Sequence, residues 1–311
     1  MYYPYFRARQ FELIALRELA EENATQGFIT PVLEPVKEKY NSLDLAYEVF
    51  NEYGQQAYLI INPKVGDKPG DTNYYLDYLT GIEENNVYLP AFIYDGNPEY
   101  ITNCIEQNDF TNCMIICNND LRVNEAFQAL VELNEISAIM VEDPGRNREL
   151  GRYLRGLNKI YIRLDDLFEK QSRNKDFLEI DEHKFSEEHL YYQEENFNGF
   201  SDYTILPSEY IDSGSTPRAV VIHMTYLNGQ DQIWIKHFTS VTNDSIANVQ
   251  GKFAEAAEKA VTYFQNTGLE NSAIRELTDY FEREHYPGLG VVKKISMKNH
   301  LLVVGDYLRE N

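Results

Sequence analysis

Short apolar runs recur along this chain at intervals of roughly 25–30 residues, separated by stretches with helical periodicity. Residues 28–33, 57–61, 87–93, 113–117, 136–141 and 160–164 are continuous and rich in β-branched side chains. Such runs suit parallel strands that are covered on both faces. Between them, residues 42–53, 72–82, 98–107, 123–134 and 146–157 carry apolar side chains at helical spacing, as residues 7–23 do ahead of the first run. A seventh strand is expected at 203–206 and an eighth at 219–226. Eight parallel strands close a barrel, whereas six would fit an open doubly wound sheet. No G-x-G-x-x-G turn follows the first run, which weighs against the open dinucleotide-binding form. The pattern therefore predicts one (β/α)8 TIM-like barrel domain over residues 1–311.

Departures from the rhythm predict the elaborations. Residues 169–198 are long and charged and read as a helical insertion after the sixth strand. Asn228-Gly229 between two β-rich runs signals a tight hairpin that opens a C-terminal extension over 227–311. Two amphipathic helices are expected at 248–265 and 271–285, then a short strand-like run at 301–304. No linker rich in Pro, Gly or Ser divides the chain.

Composition narrows the picture little. Hydrophobic residues at 43% and charged residues at 25% are ordinary for a globular protein. A formal net charge of −22 repels nucleic-acid backbones, so direct duplex binding is not expected. The same field suits a basic partner protein or a bound cation, or serves solubility alone. Cys104, Cys113 and Cys117 form no CxxC pair, and an odd, sparse count fits a reducing compartment. Neither a signal peptide nor a membrane-spanning run is evident, and a cytoplasmic location is expected.

In a β/α barrel, side chains just past the C-terminal strand ends face the site. Those positions hold Glu34, Asn62, Lys64, Asp95, Asn118, Glu142 and Asp143, with Arg163 in the sixth strand near its exit, Asp202 just before the expected seventh strand and His223 inside the expected eighth. Oxygen donors from Glu34, Asn62, Asp95, Glu142 and Asp143 would suit Mg²⁺ or Mn²⁺. Glu34, Lys64, Glu142, Arg163, Asp202 and His223 are the candidates for chemistry, with Lys64 or Arg163 taking a phosphate. Helix capping is the competing role for Asp95, Asn119 and Asp120. A satisfied core position is the competing and commoner role for a lone strand histidine such as His223, and His183 and His189 are expected to face solvent. The sequence has no G-x-S-x-G elbow, H-E-x-x-H pair or Walker lysine loop.

The segments Tyr3-Pro4-Tyr5, Ile29-Thr30-Pro31-Val32-Leu33-Glu34-Pro35 and Ser201-Asp202-Tyr203 resemble patches of the bacterial and phage beta protein family. The N-terminal pattern is most similar to a subgroup often encoded beside a restriction-endonuclease-like partner. The resemblance implies a barrel-like domain and a context in antiviral defence or mobile gene sets, with no established catalytic residues to carry over. Two functions stay open. One is a non-catalytic sensor or partner-binding barrel acting on a nuclease-like protein. The other is a divalent-metal-dependent hydrolase, phosphodiesterase-like, acting on a nucleotide or other phosphate-containing small molecule.

Overall fold

The computed structural model describes residues 1–212 and 217–311, and its central feature is an eight-stranded parallel barrel. β1 (Tyr5–Phe6), β2 (Val32–Leu33), β3 (Ala57–Ile60), β4 (Tyr88–Ile93), β5 (Cys113–Cys117), β6 (Ile136–Glu142) and β7 (Ile160–Asp165) pair in chain order. β8 (Glu182–Ser186) leaves the barrel, and β9 (Gly199–Asp202) returns to pair with β7. The ring closes at a narrow seam. Tyr2 bridges in parallel to both Ile29 and Phe200, and the Tyr3 N–H donates to the Phe200 carbonyl at 2.9 Å.

The expected strand number is right, but its membership differs at both ends. The two-residue β1 precedes the first apolar run, so that run supplies the second strand. The helix α1 (Gln10–Glu21), expected as a preface to the barrel, belongs to its first βα unit. Helices α2 (Asn41–Tyr53), α3 (Tyr74–Thr80), α4 (Pro98–Gln107), α5 (Glu125–Val131) and α6 (Arg148–Arg155) follow the next five strands. The eighth barrel strand is β9, just before the run expected at 203–206.

The run expected as the eighth strand is instead β10 (Val221–Leu227) of a separate sheet. It pairs antiparallel with β11 (Ile233–Thr239) through the anticipated hairpin, and β11 pairs with β8. The insertion is thus one strand between two short helical turns, Asn174–Leu178 and α7 (Glu188–Tyr191), rather than a continuous helical excursion. Helices α8 (Val249–Thr267), α9 (Ser272–Glu282) and α10 (Leu289–Glu310) complete the extension. The strand-like run at 301–304 lies inside α10, because a helix buried on most sides shows the same short apolar run as a buried strand. α10 also buries Lys294 and Lys298, which reach Glu18, Glu22 and Glu276 at 2.7–2.9 Å.

Two apolar layers result. Val32, Ile60, Ala91, Met114, Met140 and Ile162 fill the barrel interior, and a larger layer joins the outer strand faces to the helices. The three cysteines are buried and unbridged. Among the described residues no helix is long and apolar enough to cross a membrane.

Candidate functional site at the barrel mouth

Strand alternation decides which polar groups reach the mouth. Tyr5, Val32, Ile60, Ile116, Met140 and Tyr203 belong to the interior layer. Side chains alternate between the two faces with a period of two. Continuing that alternation past the strand ends carries Arg7, Glu34, Asn62, Asn118 and Glu142 to the C-terminal opening. A cavity of about 240 Å³ lies there, with Arg7, Glu34, Lys64, Asn118, Glu142 and Tyr203 around it and Ile93, Ile116 and Leu164 beneath.

Glu34 anchors one wall. Pro35 follows it and cannot donate a backbone N–H, so the chain turns away and leaves the carboxylate pointing inward. Glu34 is fully buried. Its Oε2 accepts from the Tyr5 hydroxyl at 2.7 Å and from the Arg7 guanidinium, and its Oε1 accepts from the Lys64 backbone N–H at 2.7 Å. Arg7 in turn donates to the Ser208 carbonyl and lies over the rings of Tyr5 (5.2 Å) and Tyr203 (5.6 Å). Burial pushes the Tyr5 and Tyr203 phenols above their ordinary range, against the opposing pull of Arg7, so both stay protonated donors.

Three cavity-lining groups are held loosely. The Lys64 ammonium lies 3.7 Å from Asp95, whose side chain is 78% exposed. Among the described residues, Glu142 has one hydrogen-bonding partner, the Tyr203 hydroxyl at 3.2 Å, and the Asn118 side chain has none.

The expected metal set does not converge. Asn62 donates to Ile93 O and Asp71 (both 2.9 Å) and accepts from Ile93 N–H (2.8 Å), which ties β3 to β4. Asp95 lies outside the cavity beside Lys64. Asp143 takes a left-handed backbone conformation (φ 46°) and pairs with Arg146 at 2.6 Å. Among the described residues no three His, Cys, Asp or Glu side chains gather as a metal site. Glu34, already ringed by a guanidinium, a phenol and an amide, is a poor fit for Mg²⁺ or Mn²⁺.

Arg163, Asp202 and His223 fall elsewhere. Arg163 sits between inward Ile162 and Leu164 and so points outward. It pairs with Asp165 at 2.7 Å, Glu195 at 2.5 Å and Glu188, which fastens the 169–198 insertion to the wall. Burial pushes the Glu188 carboxyl up to about 7, against the opposing pull of Arg163. Asp202 also faces outward. It accepts from the Tyr2 hydroxyl (2.5 Å) and Thr204 N–H (2.7 Å) and lies 3.4 Å from His300 of α10. His223 lies in the outer sheet, with its Nδ1 2.7 Å from Nδ1 of His237. His237 continues through Nε2 to His183 Nδ1 at 3.3 Å. His183 therefore joins a cross-strand row packed on Phe177, and His189 is buried with Nε2 2.7 Å from the Asp231 carbonyl. Neither His183 nor His189 is the solvent-facing group expected.

The sequence reading missed Arg7, Tyr5, Ser208 and Tyr210. The alternation Tyr3, Tyr5, Arg7 would have found the first two had the strand been recognised. Residues 204–212 form a strap beside the mouth, joined to Arg7 through Ser208 and to Lys37 through Asp212 (2.7 Å). The cap of α5 also differs from expectation: Asn124 accepts from the Phe127 N–H, in place of Asn119 or Asp120. Comparison with protein-family models, curated proteins and solved structures gives no match for the chain.

Proposed function

We propose that this chain is a non-catalytic sensor barrel, which binds a small phosphate-containing molecule at its mouth and relays that occupancy to another protein. What supports this is the division between committed and uncommitted groups. The Arg7–Glu34–Tyr5 unit is internally satisfied and acts as a fixed floor, while Lys64, Glu142 and Asn118 remain for a ligand. A buried carboxylate with three donors is already stabilised as an anion and is poorly placed to act as a base or metal ligand. The hydrolase reading therefore gains no support from the residues that first suggested it.

The acidic surface, with a net charge of −22, suits a partner with a basic face such as a nucleic-acid-processing protein. The resemblance of residues 29–35 and 201–203 to the beta protein family agrees with a defence setting and a nuclease-like partner.

The test is calorimetric titration of the intact chain with inorganic phosphate and mononucleotides, with and without Mn²⁺, while released product is monitored. Binding is expected without turnover, weakened at least tenfold by Lys64→Ala, about 1.4 kcal/mol. Multiple turnovers that disappear in Glu142→Gln would overturn the sensor reading in favour of a hydrolase.

A further inference from the structure

Lys64 and Glu142 stand on different walls of one cavity. Lys64 follows β3, while Glu142 ends β6, three strands further round a ring of eight. Between them lies an apolar floor of Ile93, Ile116 and Leu164. On the β1–β3 side, Arg7 and Glu34 cancel, so Lys64 supplies the surplus positive charge. Its pairing with exposed Asp95 is the kind of solvent-screened contact that contributes little. On the far side, Glu142 is a half-buried carboxylate with a single phenol donor at 3.2 Å. Asn118 beside it adds an amide with both donor and acceptor capacity.

A ligand that is anionic throughout would meet attraction at Lys64 and repulsion at Glu142. A carboxylate in a confined mouth also stays under-solvated unless something donates to it. From this we infer that the ligand is bipolar: its anionic group meets Lys64, and an amino group or other N–H donor meets Glu142 and Asn118. This rests on the ligand-binding reading above and deepens it. Glu142 then sets specificity, because a site arranged around a donor discriminates strongly against an analogue without one.

The chemistry is shared by aminated nucleotides and by phosphorylated amino compounds, so the probes come as matched pairs. One pair is AMP against purine riboside monophosphate, which lacks the exocyclic amine. The other is phosphoserine against its deaminated analogue 3-(phosphonooxy)propanoate, with inorganic phosphate as the reference. Each is titrated into the intact wild-type chain and into Glu142→Met. The wild type is expected to prefer the aminated member of at least one pair by tenfold or more, and the pair that responds identifies the source. That preference should collapse in Glu142→Met, whose phosphate affinity should rise because the repelling carboxylate is gone. The wild-type ratio needs no variant, so the inference stays testable if Glu142→Met fails to fold. Lys64-dependent phosphate binding with no amine preference would overturn the bipolar ligand and leave the sensor reading standing. Failure of every probe, phosphate included, would overturn both.

Discussion

Glu34 meets three donors in the wall of the mouth, and the Arg7 guanidinium beside it is itself mostly buried, with 17% of its side chain exposed. Removing the negative charge leaves that guanidinium without compensation in a poorly solvated place. Glu34→Gln is expected to lower unfolding free energy by about 3 kcal/mol in chemical denaturation, the range found when one member of a buried pair is lost. A loss well below 1 kcal/mol would mean that water reaches the pair. Glu34 was legible in the sequence because a carboxylate between an apolar strand and a proline has few places to go. Arg163 and Asp202 were not, since strands covered on both faces show no alternation from which inward and outward positions could be read. Arg7 was hidden for a different reason: its strand is two residues long and merges into the helical pattern that follows.

At the scale of elements, the antiparallel sheet β8–β11–β10 is where the sequence reading went furthest astray. Val220–Ile222 and Met224 look like a barrel strand, and local composition cannot tell a parallel neighbour from a hairpin partner. The hairpin turn at Asn228-Gly229 was nevertheless clear, because its conformational demand is local. The sheet carries the histidine row, and its titration has a definite sign. Burial, then His183, lowers His237 from 6.5 to about 3, and burial with His237 holds His223 well below 6.5. The unfolded chain therefore binds more protons than the fold below pH 6.5. Stability present above that pH is lost as the pH falls toward 3. Glu188 works the other way: its folded pKa of about 7 against 4.5 adds stability at the acid end that is lost as pH rises through 7. In urea denaturation at pH 7 and pH 5, the acid-induced loss should shrink by about 2 kcal/mol in His237→Gln. An unchanged difference between the two pH values would mean that these rings take up protons freely in the fold.

The whole molecule depends on the seam between the first few residues and β9. Gly199 makes that approach possible, because a Cβ there would stand 2.5 Å from the Tyr3 ring and 3.1 Å from the Met1 carbonyl. Gly199→Ala should cost about 1–3 kcal/mol by overpacking. Faster amide exchange is expected at residues 2–6 and 199–202, with β5 and β6 unaffected; uniform exchange throughout would contradict a local seam. Barrel class was visible from the rhythm of the runs, while closure was not, since Tyr2, Tyr3 and Phe200 meet across almost the entire barrel and carry no periodic signal. That separation also has a consequence for the order of events during synthesis. At 5–20 residues per second, the start of the chain waits on the order of 10–40 s before its closing partner is made. Until then β1 and β7 are unpaired sheet edges facing the crowded exit of the ribosome. Whatever shields those edges in the interval, whether a chaperone or transient self-pairing, governs how much of the protein reaches the closed state.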